Sequence, residues 1–238
     1  MVEIDKNSII IHQYLNGVVG KLITELTLKW RQKLDAVGSM IQNFEDAFID
    51  NELSLDYIRE KTNRCFSVLK NISRNVDDFN YLLYSNKQTN HFDVEEIIER
   101  CITIMKIITS EQGIEISYKC EDTYFLEGEA NQFGLVLLSL ILNSKESIEE
   151  AKSQAGYIKI NCHKGKDKFT VSVIDNGKGI PYTIELEDNL FNPFITTKDS
   201  EKHSGMGLYV SKMIIEDNFK GKFHYRNTKE GAEFRFEV

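Results

Sequence analysis

The residues of this chain with the clearest chemical meaning are an aspartate and two glycines in its second half. An apolar, β-branched run at 169–174 is typical of a strand, and Asp175-Asn176-Gly177-Lys178-Gly179-Ile180 follows it as a tight turn. Because glycine has no Cβ, Gly177 and Gly179 allow a flat ligand to approach the backbone closely. The carboxylate of Asp175 can accept a hydrogen bond from an exocyclic amine, which adenine has and guanine lacks at that position. We therefore expect an adenine nucleotide at the end of this strand.

A second pattern, nearer the C-terminus, suits the phosphates of such a nucleotide. Ser204-Gly205-Met206-Gly207-Leu208-Tyr209 opens a helical pattern, so its free N–H groups and the positive end of the helix dipole favour an anion. Between the two patterns, Phe191-Asn192-Pro193-Phe194-Ile195-Thr196-Thr197-Lys198 ends in two side chains that can donate to phosphate. Each pattern alone is also typical of ordinary turns and helix starts. Their order and spacing together indicate a nucleotide site.

The three patterns resemble the G1, F and G2 boxes of histidine kinases, within the wider GHKL (Bergerat-fold) ATPase superfamily, over roughly residues 90–238. The family's N box should lie upstream on a helix, and Asn143-Ser144-Lys145-Glu146-Ser147-Ile148 resembles it. The resemblance implies that Asn143 holds a Mg²⁺ ion bridging the phosphates, that Asp175 reads adenine, and that 181–204 form a mobile lid. The expected ATP site comprises Asn143, Glu146, Asp175, Gly177, Gly179, Ile180, Phe194, Thr197, Lys198, Gly205, Met206, Gly207 and Leu208.

Two residues of this region have alternative interpretations. Glu146 lies one helical turn beyond Asn143. It either helps to hold Mg²⁺ or a water molecule, or it is a solvated residue of the helix. His203, in the expected lid, contacts phosphate or is solvated. The residue four before Asn143 is Ser139, where hydrolytic members of the superfamily place a glutamate as general base. Because serine cannot act as that base at neutral pH, we expect little free ATP hydrolysis.

The composition narrows the class of protein. The chain has 238 residues, enough for one or two domains, and a net charge of −8 that argues against nucleic acid as a partner. Its four cysteines show no CxxC spacing, which indicates reduced core residues rather than zinc or a redox pair. No apolar run is long enough to span a membrane and no signal peptide opens the chain, so we expect a cytoplasmic protein without a membrane segment.

The first part of the chain has the period of two long helices. Apolar residues recur in steps of three and four at Leu15, Val19, Leu22, Leu26, Trp30, Leu34, Val37, Ile41, Phe44 and Phe48, and again at Ile58, Thr62, Cys65, Leu69, Ile72, Val76, Phe79 and Leu83. A break at 50–52 predicts an antiparallel hairpin over 1–88. Such a hairpin cannot close its own core, so we expect a homodimer that forms a four-helix bundle; a helical spacer is the alternative.

The remainder, 89–238, follows a polar linker at 84–92 and predicts an α/β sandwich, so that the whole chain is α+β. Its helices are expected at 93–108, 129–151 and 205–219. Its strands are expected at 114–120, 157–162, 168–174, 221–226 and 233–238, with the helices on one face of a mixed sheet.

The hairpin resembles the dimerisation and phosphotransfer domain of sensor histidine kinases, with one decisive difference. One subfamily has the box His-Gln-Trp-Arg-Gln-Pro-Leu-Asn, and this chain has Leu28-Lys29-Trp30-Arg31-Gln32-Lys33-Leu34-Asp35. Leu28 therefore stands where the phosphoacceptor histidine belongs, and it has no nucleophilic nitrogen. Position 28 lies between the seam positions and should face outward. His12 is the only histidine on the hairpin, either a displaced acceptor or a plain surface residue.

These observations leave two main interpretations of function. In the first, the chain is an ATP-binding histidine-kinase-like core that transfers a phosphoryl group to a histidine in trans, within a two-component pathway. In the second, it is a nucleotide-binding pseudokinase scaffold that docks a partner histidine kinase or a response regulator. A GHKL ATPase or chaperone-like clamp is disfavoured by Ser139 and by the heptad hairpin.

Overall fold

Two long helices form the first part of the molecule, as their periodicity predicts. A computed structural model describes residues 6–84, 91–121, 123–153, 155–166, 168–181, 189–196 and 205–238. Helix α1 is Lys6–Ile49 and helix α2 is Leu55–Tyr84. Ser54 caps α2 by accepting a hydrogen bond from Tyr57 N at 3.1 Å. The edge-to-face contact of Phe44 with Tyr57, with ring centroids 6.0 Å apart, fastens the closed end of the hairpin.

The second part is a mixed sheet with helices packed against it. The helices are α3 (Val94–Ile108), α4 (Ala130–Ala151) and α5 (Gly207–Met213), and α5 continues as a π-helical segment, Ile214–Asn218. The strands are β1 (His91–Asp93), β2 (Ile114–Cys120), β3 (Phe125–Glu127), β4 (Gly156–Lys164), β5 (Phe169–Asp175), β6 (Lys222–Asn227) and β7 (Ala232–Glu237).

The five-stranded sheet has the order β2-β4-β5-β7-β6. Strands β2 and β4 are parallel and the other neighbours are antiparallel, which confirms the predicted mixed sheet and the α+β class. Strands β1 and β3 form a separate antiparallel pair that the sequence did not predict. This pair leads directly into α3, whose N-cap Asp93 accepts a hydrogen bond from Glu95 N at 2.9 Å.

Helix α4 is the centre of the hydrophobic core. Its stretch Phe133–Leu142 is buried throughout, as expected for a helix with neighbours on several sides. Phe133 of α4 packs edge-to-face on Phe236 of the sheet, with ring centroids 5.6 Å apart. Nearer its C-terminus, α4 is hydrogen-bonded to the end of β5 and the turn after it through Ser144 and Ser147, and this junction carries the site described below.

The first half of α1 packs against this second part rather than standing apart from it. Leu22 and Leu26 of the predicted seam are completely buried in a core shared with α3 and α4. Two ion pairs border this contact: Lys29 Nζ lies 2.7 Å from a Glu111 carboxylate oxygen, and Lys145 Nζ lies 3.7 Å from one of Glu25. The sequence predicted a linker at 84–92, of which 85–90 lie outside the described residues, and it did not predict this docking.

The distal half of the hairpin leaves much of its apolar seam uncovered. The exposed seam residues are Leu34, Ile41, Phe48, Ile58 and Leu69, and Phe66 beside them is 66% exposed. Within the described part of the chain, no helix is both long and apolar enough to cross a membrane. The four cysteines are unpaired, and three of them are buried as predicted; Cys120 is half-buried.

Candidate nucleotide-binding site

A cavity of about 710 Å³ lies where the end of β5 meets α4, α5 and the first half of α1. This volume is within the usual range for small-molecule sites. Ten of the thirteen predicted ATP residues line it: Asn143, Glu146, Asp175, Gly179, Ile180, Phe194, Gly205, Met206, Gly207 and Leu208. Motifs far apart in the sequence therefore converge on one space.

Asp175 lies at the inner wall of the cavity and is almost completely buried. Its Oδ1 accepts a hydrogen bond from Gly177 N at 2.9 Å, and its Oδ2 accepts one from Ser144 Oγ at 3.1 Å. A buried carboxylate needs such donors, and here they also fix its orientation. Ser144, the second residue of the predicted N box, thus ties α4 to the end of β5.

Gly177 and Gly179 serve different physical needs. A Cβ on Gly177 would lie 2.3 Å from Ser147 Oγ and 2.7 Å from the Ser147 carbonyl carbon, so this glycine allows the turn to pack on α4. Gly177 is not among the residues that line the cavity, and its role toward a ligand stays a prediction. Gly179 does line the cavity and has φ +68°, a conformation that favours glycine.

A side chain that the sequence did not single out holds the next residue of this turn. Asn227, at the end of β6, accepts a hydrogen bond from Ile180 N and donates one to Ile180 O, both at 2.8 Å. Through these two bonds, the Asn227 amide pairs with the Ile180 backbone as a neighbouring strand would, and it holds Ile180 at the cavity wall. No local signal could have revealed this pair, because its members are 47 residues apart.

Another part of the cavity is formed by Asn143, by Gly205 before α5 and by Gly207, the first residue of α5. Gly205 has φ +65°, and a Cβ there would lie 2.5 Å from the Phe194 carbonyl carbon, so only glycine fits against that backbone. A Cβ on Gly207 would lie 3.7 Å from Asn143 Nδ2 and 3.6 Å from Ser139 Oγ. The predicted phosphate-end residues therefore meet at one point.

Thr197, Lys198 and His203 lie outside the described residues, as do 182–188 and 197–204 of the predicted lid. The described part of that stretch, 189–196, contributes Leu190, Pro193, Ile195 and Thr196 to the cavity in addition to Phe194.

Helix α1 supplies cavity residues that the sequence reasoning missed. The Tyr14 hydroxyl lies 2.6 Å from Ser139 Oγ, and Lys21 forms an ion pair with Glu146. Burial of the hydroxyl raises the pKa of Tyr14 to about 12, and the nearby charge of Glu146 adds to this effect, so Tyr14 is neutral at physiological pH. Tyr14 and Lys21 are seven residues apart and share a helix face, but nothing in the sequence indicates what that face would contact.

The two candidate acceptor positions are both away from the cavity. Leu28 is 57% exposed, as its position between seam residues predicts. His12 is exposed and does not line the cavity, although the next two residues, Gln13 and Tyr14, do. His12 therefore lies outside the cavity lining.

The oxygen atoms at the Asn143 end suit a magnesium ion that comes with a nucleotide. Mg²⁺ prefers oxygen ligands and is commonly held by one or two side chains together with substrate phosphates and waters. Asn143 and Glu146 both line the cavity and offer an amide oxygen and a carboxylate, of which the carboxylate is paired with Lys21. No group of three or more His, Cys, Asp or Glu side chains that could hold a metal by itself occurs among the described residues.

Comparisons with known proteins point to a family of ATPases. Residues 128–238 match the family described as histidine kinase-, DNA gyrase B- and HSP90-like ATPases. Sporulation kinase A of Bacillus subtilis (strain 168) is 26% identical over 225 residues, which are 92% of this chain and 34% of that protein. The C4-dicarboxylate transport sensor protein DctB of Rhizobium meliloti (strain 1021) is 33% identical over 99 residues, 42% of this chain and 15% of that protein. The chain thus spans about a third of the length of sporulation kinase A.

Solved structures give the same result for the fold. The nucleotide-free catalytic domain of histidine kinase ThkA is similar with a TM-score of 0.55 and 29% identity, over 62% of this chain and 93% of that one. Histidine kinase ThkA in complex with response regulator protein TrrA is similar in fold, with a TM-score of 0.52 and 22% identity, over 100% of this chain and 67% of that one. The comparisons therefore support a sensor histidine kinase catalytic core, in which residues 128–238 match the ATPase domain of the histidine kinase-, gyrase B- and HSP90-like family.

Proposed function

We propose that this chain binds ATP with Mg²⁺ in the cavity between β5, α4 and α5 and transfers the γ-phosphoryl group to a histidine of another protein chain. The observation that carries the proposal is the convergence of Asp175, Asn143 and Gly207 on one cavity of suitable volume. Asp175 would accept a hydrogen bond from the adenine amine, and the Asn143 end would take the phosphates. Thr197 and Lys198 are proposed as further phosphate donors on the grounds of the sequence alone.

Magnesium, when bound, neutralises phosphate charge and orients the nucleotide. Asn143 would hold it together with the phosphate oxygens, with Glu146 beside them. Ser139, which occupies the position of the hydrolytic glutamate, is engaged with Tyr14 and has no basic group to offer water. We therefore propose that bound ATP is not hydrolysed when no phosphoacceptor is present.

Transfer is proposed to occur in trans because the chain has no acceptor at the usual place. Leu28 has no nucleophilic atom, and it lies seven residues beyond Lys21, the last α1 residue at the cavity, which is about 10 Å along the helix. The histidine would belong to a partner histidine kinase or a separate phosphotransfer protein. From there the phosphoryl group would pass to an aspartate of a response regulator, in keeping with the family.

A second candidate is a nucleotide-binding pseudokinase scaffold, favoured by the changes at positions 28, 29 and 33. Lys29 is engaged with Glu111 at 2.7 Å, so the residue beside the lost acceptor has a structural partner. The uncovered distal seam of the hairpin offers a docking surface for a second copy, a partner kinase or a response regulator. A chain of this fold, ThkA, has been solved with a response regulator.

The test is incubation of the purified chain with γ-labelled ATP and Mg²⁺, alone and with a histidine-containing partner kinase whose own ATP site has been inactivated. For an active kinase, we expect acid-labile label on the partner, none on this chain, and loss of all label with Asn143→Ala. ATP binding without label on any partner would favour the scaffold. Absence of ATP binding would contradict both candidates.

The Leu28→His variant serves as a control in the same assay. We expect it to remain unlabelled, because position 28 is exposed and lies about 10 Å along α1 from Lys21, the last residue of that helix at the cavity. Strong labelling of this variant would show that the missing histidine alone, and not its surroundings, prevents labelling of the chain.

A further inference from the structure

One face of α1 closes the side of the cavity that the sequence motifs leave open. The face consists of Ile10, Gln13, Tyr14, Gly17, Val18 and Lys21, which follow one another in steps of three and one along the helix. Such spacing places all of them on one side of an α-helix. We refer to these six residues as the α1 wall.

Two polar contacts fix the α1 wall to α4. The Tyr14 hydroxyl lies 2.6 Å from Ser139 Oγ, and Lys21 is paired with Glu146, two turns further along α4. Both contacts join residues 125 positions apart in the sequence. Completely buried Leu22 and Leu26 continue the contact on the same side of α1, so the wall is fastened by packing as well as by polar groups.

The wall touches the end of the cavity assigned to the phosphates. A Cβ on Gly207 would lie 3.0 Å from the Tyr14 hydroxyl, and the same point is 3.7 Å from Asn143 Nδ2. The Tyr14 hydroxyl is therefore close to Gly207, at the same end of the cavity as Asn143. Lys21 offsets the negative charge of Glu146, which would otherwise repel the phosphates of a nucleotide at this end.

The space left beside the wall is large enough for a nucleotide. With α1 in contact, the cavity still has a volume of about 710 Å³, well inside the range of small-molecule sites. A helix that plugged the site would leave little volume there. The wall thus borders the cavity without filling it.

We propose that the α1 wall is part of the ATP site and stays in place when ATP binds, so that ATP and the docked position of α1 stabilise each other. Tyr14 is a positioning residue that orients Ser139 beside the phosphate end, and Lys21 offsets the negative charge of Glu146 there. Because such coupling is reciprocal, a protein that pulls α1 away from α4 lowers the affinity for ATP. This inference rests on the proposed ATP binding.

A matched pair of glycines in α1 tests the position of the wall. A Cβ has nothing within 4 Å at either Gly17 or Gly20, but only Gly17 lines the cavity. Both substitutions by leucine raise helix propensity equally, and only Gly17→Leu sends a side chain into the cavity. Titration calorimetry with MgATP should show affinity weakened by about tenfold or more in Gly17→Leu and unchanged within about twofold in Gly20→Leu.

A second readout reports on α1 directly. Hydrogen exchange of the backbone amides of residues 10–26 should slow when MgATP is added to the wild-type chain, and the slowing should diminish in Tyr14→Phe and Lys21→Ala. Faster exchange of these amides with MgATP, or equal ATP affinity of Gly17→Leu and wild type, would overturn the inference while leaving ATP binding intact. Failure of the wild type itself to bind ATP would overturn the inference and the proposed function together.

Discussion

Asp175 shows how one side chain serves both the fold and the site. Its carboxylate is buried and receives hydrogen bonds from Ser144 on α4 and from the Gly177 backbone. These contacts hold the strand end against the helix, and they also orient the carboxylate at the cavity wall. A substitution at this position therefore has to be designed so that loss of binding can be separated from loss of structure.

We expect Asp175→Asn to weaken ATP binding by about tenfold or more, which corresponds to roughly 1.4 kcal/mol. Asparagine keeps the shape, but its NH₂ group places a donor where the surrounding N–H and O–H groups, and the adenine amine, need an acceptor. Calorimetric titration with MgATP measures the change, and thermal unfolding without nucleotide reports any effect on the fold.

Glu233→Gln is the matched control for this substitution. Glu233 is also a buried carboxylate, but its strand neighbours Ala232 and Phe234 line the cavity, so Glu233 points to the other side of β7. Wild-type affinity in the Asp175→Asn protein, or an equal loss in both variants, would contradict the role of Asp175 in reading adenine.

At the scale of elements, the sequence predicted helices and strands correctly wherever the spacing of apolar residues repeats over several turns of a helix or several residues of a strand. Both hairpin helices, the strands of the five-stranded sheet and the helix with the N box follow from apolar spacing alone. Strands β1 and β3 have three residues each, too few for an alternation to be visible. The Asn227 contact with Ile180 and the docking of α1 depend on tertiary packing, which no local pattern encodes.

A residue in a sequence motif can also have a structural role that its type does not suggest. Gly177 was predicted to let a ligand approach the backbone. In the structure it also lets the turn after β5 pack closely against the Ser147 backbone of α4. The presence of a glycine was predictable from the motif, but the identity of its neighbour was not. A prediction for this position accordingly concerns stability as well as binding.

Substitution of Gly177 by alanine should lower the free energy of unfolding by about 1–3 kcal/mol, the usual cost of overpacking. The new Cβ would lie 2.7 Å from the Ser147 carbonyl carbon, which is backbone and cannot rotate away. Urea unfolding measures the change. In contrast, Gly20→Ala, with open space around its Cβ, should raise the free energy of unfolding by roughly 0.5–1 kcal/mol. Equal stability of the two variants would contradict the packing argument.

At the scale of the whole molecule, α1 has two environments along its 44 residues. Its first half is covered by the ATP-binding part of the same chain, and its second half shares with α2 an apolar seam that is open to solvent. Exposed apolar residues in a continuous array usually mark a surface that another molecule covers. A second copy of the chain, forming a four-helix bundle, is the partner that we propose for this surface.

The oligomeric state provides a direct test. In sedimentation experiments at micromolar concentration, we expect the wild type to be a dimer and the double variant Ile41→Glu, Phe66→Glu to be a monomer with unchanged helix content. Both residues are exposed on the distal hairpin, one on each helix. Phe125→Glu, at an equally exposed aromatic on β3, should remain dimeric. A monomeric wild type would show that the seam has another partner.

The long sequence separation between α1 and its site on α4 also has a consequence for how the chain is made. Tyr14 leaves the ribosome 125 residues before Ser139, an interval of roughly 6–25 s at about 5–20 residues per second. During that time α2 is already available to α1, whereas α4 has not been synthesised. We therefore expect the hairpin to form before the nucleotide site, because the site is complete only after α4 has been synthesised and has packed against α1.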